Sequence, residues 1–71
     1  MQTIEKAVIS VLRTFEPARR LYWPTEQSAK FVDKANNLIE DYESGNEVDW
    51  SLAICLIVNF HTEMGEWLGS H

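Results

Sequence analysis

Seventy-one residues with 45% apolar content describe one folded domain over residues 1–71, and its single cysteine, Cys55, excludes an intrachain disulfide. The net charge of −5 argues against a chain that coats nucleic acid or anionic membrane. The longest apolar run, Leu52 to Val58, spans seven residues, far short of the about 20 that a membrane helix needs.

The charge is unevenly placed. All six basic residues (Lys6, Arg13, Arg19, Arg20, Lys30, Lys34) precede residue 35, where they face four acids. The remainder carries seven acids and no Lys or Arg. The N-terminal Met-Gln-Thr-Ile-Glu-Lys has no basic stretch followed by an apolar run, so no signal peptide is expected. A lone cysteine fits a reducing, cytoplasmic setting.

The first predicted helix covers about 4–15, with Thr3 as its N-cap. Ile4, Ala7, Val8, Val11, Leu12 and Phe15 share one face at helical spacing. Pro17 is expected to stop this helix, and then to open a short helical turn near 17–22 that Pro24 closes. The sequence Arg19-Arg20-Leu21-Tyr22-Trp23 joins basic charge to aromatic rings, residue types enriched where proteins grip partners. It reads either as a contact surface of Arg19, Arg20, Tyr22 and Trp23, or as a plug for the end of a bundle. A nucleic-acid interface using Arg13, Arg19 and Arg20 is the alternative, opposed by the acidic remainder.

The second helix covers about 26–43, with Thr25 as N-cap and Gly45 just past its end. Phe31, Val32, Ala35, Leu38, Ile39 and Tyr42 form its apolar stripe. At its far end Glu40, Asp41, Glu43 and Glu47 gather. Their spacing does not make a calcium loop, because Gly45 and Asn46 fall at the wrong positions. They read as a solvated helix end or as a patch for a basic partner.

The third long helix covers about 50–68, capped by Asp49. Trp50, Ile54, Ile57, His61, Met64 and Leu68 are taken as its buried line. Leu52, Cys55 and Leu56 add a second apolar side, so this helix is expected at the centre of the bundle. Phe60 and Trp67 lie on a flank, to be covered by the first helix or by a second copy. Cys55 and His61 both read as packed core residues rather than nucleophile and base. No cofactor or metal motif stands out.

The expected fold is all-α, a small three-helix bundle. The expected function is a non-enzymatic interaction module, an inhibitor or adaptor that uses Arg19, Arg20, Tyr22, Trp23, Trp67 and the acids Glu40, Asp41, Glu43 and Glu47 against a basic surface of a larger protein. That protein is one that handles nucleic acid in one version of this reading. A small enzyme is the remote alternative. A homodimer is also expected, since a small unstapled core with surplus aromatics gains from association.

Overall fold

The computed structural model describes residues 3–71; residues 1 and 2, part of the N-terminal stretch read above for a leader, lie outside the described residues. The chain is all-helical: α1 Ile4–Arg13, α2 Phe15–Tyr22, α3 Glu26–Glu43 and α4 Trp50–Ser70. Its three longer helices pack as a bundle, and α2 is the short helical piece between the first two of them. No described helix is long and apolar enough to cross a membrane.

Local chemistry sets the ends of these helices. The Thr3 hydroxyl accepts from the Lys6 amide at 3.2 Å and the Asp49 carboxylate from the Leu52 amide at 3.0 Å. Thr25 and Ser28 exchange side-chain bonds with each other's amides as a capping box. At the end of α3, the Gly45 amide donates to the Tyr42 carbonyl and the Asn46 amide to the Asp41 carbonyl. This pair of bonds needs a left-handed residue, and Gly45 supplies it at φ 77°.

Pro17 acts differently from expectation. Its ring would collide with the carbonyl four residues back, that of Arg13, so α1 ends there rather than at Phe15. Pro17 itself sits third in α2, where a missing N–H costs nothing because that N–H has no intrahelical acceptor. Phe15 thereby opens α2, and it is fully buried.

Helices α3 and α4 form an antiparallel hairpin, as the ring pairs Tyr42–Trp50 and Phe31–Phe60 trace along its length. Helices α1 and α3 each pack along all of the others, whereas α4, expected at the centre, packs along α1 and α3 and meets α2 chiefly through the Phe15–Phe60 stack. Helix α1 packs against both α3 and α4, while α2 packs mainly against α3. The stripe expected on α3 is the one it buries or half-buries. The buried sides of α1 and α4 are rotated from expectation. On α1, Ile9 is buried while Ile4 and Ala7 face solvent. On α4 the buried line is Ala53, Leu56 and Phe60, about 80° round from the one expected at 100° per residue. Ile54, His61 and Leu68 are therefore exposed, and so is Cys55, against the expectation of a packed thiol.

The flank residue Phe60 is the centre of the core. Its ring stacks on Phe15 at 4.0 Å between centroids, and lies 5.7 Å from both Trp23 and Phe31. Four aromatic rings from four separate stretches of chain thus meet at one point, covered within the chain itself. Burying such rings is the main source of stability in a domain this small.

Candidate functional site

The two ends of α3 hold the residues that the sequence singles out. At the N-terminal end the chain turns from α2 into α3 through Trp23, Pro24 and Thr25. Trp23 is 2% exposed, so it is a core residue and not part of a surface. Arg19 is drawn inward with it. Its Nε donates to the Ser28 hydroxyl and its Nη2 to the Thr25 carbonyl, both at 2.9 Å. Ser28, fully buried, donates in turn to the Trp23 carbonyl at 2.6 Å. Arg19 therefore braces a corner instead of reaching for a partner. Arg20, Leu21 and Tyr22 remain outside, with Arg20 paired to Glu16 one turn back at 3.1 Å. The contact surface read from this stretch is thus split between the inside and the outside of the fold.

The C-terminal end of α3 is the acidic one. Glu40, Glu43 and Glu47 are exposed and Asp41 is half-buried. The last turn of α3 carries no basic residue, so its carboxylates stand at the negative pole of the helix. Among the described residues, the one ion pair reaching this end is Arg13 to Glu43, at 3.0 Å on the surface. Beside it, Tyr42 and Trp50 stand nearly perpendicular, 6.0 Å apart with 77° between their planes. They line an open cavity of about 560 Å³ together with Glu5, Glu47 and the Gly45–Val48 stretch. Glu5, Tyr42 and Trp50 join the acidic cluster only through the fold. The signal for Tyr42 and Trp50 was present in their positions flanking the loop, whereas nothing local links Glu5 to them.

A second cavity, of about 420 Å³, lies between α3 and α4. It is lined by Lys30, Lys34, Glu26 and Glu63, with Gln27 donating to Glu63 across it. Its charges are of both signs, so it has no net preference for a charged ligand.

Helix α4 presents a third feature. Ile54, Val58, His61, Gly65 and Leu68 succeed one another at alternating four- and three-residue spacing, all exposed. That side of the helix carries no acidic or basic residue apart from His61, whose Nδ1 donates to the Ile57 carbonyl at 2.8 Å. A Cβ built on Gly65 would meet no described atom within 4 Å, so nothing inside the chain requires glycine there. Cys55 and His61 are separated by roughly 120° around the helix at 100° per residue, which keeps the thiol and the imidazole apart. Trp67 is half-buried, with the terminal His71 ring stacked on it at 4.2 Å. Among the described residues no three His, Cys, Asp or Glu side chains converge as metal ligands would.

No protein-family model, curated protein or solved structure matches the chain.

Proposed function

We propose that this chain is a non-enzymatic interaction module whose acidic end, Glu40, Asp41, Glu43 and Glu47, docks against a basic surface of a larger protein. One observation carries the reading: these carboxylates crowd the negative pole of α3 with no basic residue in its last turn. Acids there cost stability, about 0.3–1 kcal/mol each near a helix C-terminus. Exposed ion pairs return only about 0–1 kcal/mol, so the single Arg13 bridge does not explain the cluster. Complementary charge does explain it, since it steers association and selects partners.

The rival nucleic-acid reading needs Arg13, Arg19 and Arg20 free to meet phosphates. Each is already bonded within the chain, to Glu43, to Ser28 and Thr25, and to Glu16. The test is affinity purification at low and high salt, followed by association rates with the recovered protein at about 50 and 500 mM salt. The rate should fall with salt, and fall further when the four acids become their amides. A salt-independent rate would leave the cluster as solvated surface.

A second reading concerns self-association. The uncharged outer side of α4 supports a dimer in which two copies of this helix pack together, a self-complementary arrangement that avoids the like charge of two acidic chains. Glycine inside a helix costs about 1 kcal/mol relative to alanine, and its value lies in letting another backbone approach. Gly65→Ala is therefore expected to stabilise the monomer by up to about 1 kcal/mol while weakening the dimer. Light scattering and the concentration dependence of Tm read the two effects separately. Monomer mass at all concentrations for the wild-type chain defeats the dimer.

A further inference from the structure

The cavity at the α3–α4 turn combines aromatic rings with carboxylates. Its walls are the perpendicular rings of Tyr42 and Trp50, and its rim carries the exposed carboxylates of Glu5 and Glu47. Among the described residues, no Lys or Arg lines it. Its volume, about 560 Å³, falls within the range of about 300–1,000 Å³ typical of binding clefts.

Aromatic rings carry negative potential on their faces, so a cation seated in this cavity is attracted by the rings that line it. Carboxylates at the rim add a charged partner for the same group. The helix ends strengthen the preference. The negative pole of α3 points at this turn, while the positive pole of α4 is already met by the Asp49 carboxylate, which accepts from the Leu52 amide. The turn itself is held to the end of α3 by the two backbone bonds from Gly45 and Asn46.

We infer that this cavity is a socket for one cationic side chain, a lysine ammonium or an arginine guanidinium, projecting from a protein partner. The inference rests on the basic-partner reading above and identifies where that partner is anchored. Charge complementarity argues for the occupant. The socket lies within the acidic end, so a basic surface drawn there by the surrounding carboxylates delivers its side chains to the cavity mouth. Glu40, Asp41 and Glu43 then attract, whereas Tyr42, Trp50, Glu5 and Glu47 grip.

The experiment is an NMR titration of the full chain with a hexalysine peptide, alongside tetramethylammonium as a free small cation. Hexalysine should shift the Trp50 indole N–H and the Gly45 and Asn46 amides saturably. Glu5→Gln with Glu47→Gln, or Trp50→Leu, should weaken binding about tenfold, the scale of one lost cation–aromatic contact. Trp50 is half-buried, so circular dichroism must first show that Trp50→Leu folds. If it does not, the exposed Glu5/Glu47 pair decides alone. Shifts spread over the acidic surface with Trp50 unmoved overturn the socket and leave the basic-partner reading standing. No saturable shift even at low salt overturns both. Saturation by tetramethylammonium but not by hexalysine overturns the protein partner as occupant.

Discussion

The two ends of α3 treat their polar side chains in opposite ways. At the N-terminal end, Arg19, Thr25 and Ser28 spend their hydrogen-bonding capacity on one another and on backbone carbonyls, and the corner closes over Trp23. At the C-terminal end, the carboxylates project into solvent against the field of the helix, beside half-exposed aromatic rings. Equally polar stretches of sequence thus do different work. A buried hydroxyl or guanidinium that finds every partner internally builds the fold. A charged group held where it costs stability is a candidate for contact with something else.

The largest test of this contrast is Trp23→Ala. Removing a ring that touches Phe31 and Phe60 in the core should cost about 3–5 kcal/mol, enough to unfold much of a domain this small. Urea denaturation measures it. A loss within about 0.5 kcal/mol would mean that Trp23 is surface and that the N-terminal corner is not structural.

Ser28→Ala sharpens the same end. It leaves the Arg19 Nε without its acceptor and removes one of the two donors to the Trp23 carbonyl, the Thr25 amide remaining, in a part-buried setting. The expected cost is about 1–3 kcal/mol. If the variant melts with the wild type, the Arg19–Ser28–Trp23 network is incidental and Arg19 returns to the pool of contact residues.

The smallest effect has the opposite sign. Glu40→Gln together with Asp41→Asn should raise stability, by about 0.3–1 kcal/mol for each charge removed from the helix end at low ionic strength. The gain should shrink in high salt, because screening acts on exposed charges. Thermal melts at two salt concentrations read both. Lower stability in this variant would show that the acids serve the fold, and the contrast between the ends of α3 would lose its meaning.

Much of the fold was legible locally. Thr3, Thr25 and Asp49 cap helices because their side-chain oxygens reach amides two or three residues on, and Gly45 closes α3 because it accepts a positive φ. The α3 stripe was equally readable, since that helix has one narrow apolar side. The acidic cluster needed only counting. These properties depend on neighbours within a turn or two along the chain, so the sequence by itself determined them.

The rotation of α4 was decided by tertiary packing. That helix is apolar around most of its first half, so periodicity offers several sides to bury and no means of choosing among them. The choice falls to shape: the Phe60 ring fills the space between Phe15, Trp23 and Phe31, and this leaves Ile54, Cys55 and Leu68 outside. Trp23 follows the same logic, buried because the corner folds over it although its neighbours look like a contact surface. The socket depends on the fold most of all. Glu5 lies 37 residues before Tyr42 in the chain and reaches the cavity only because α1 packs against both α3 and α4. Which side chains converge across such a separation is fixed by how rigid helices fill space together, and no local pattern encodes it.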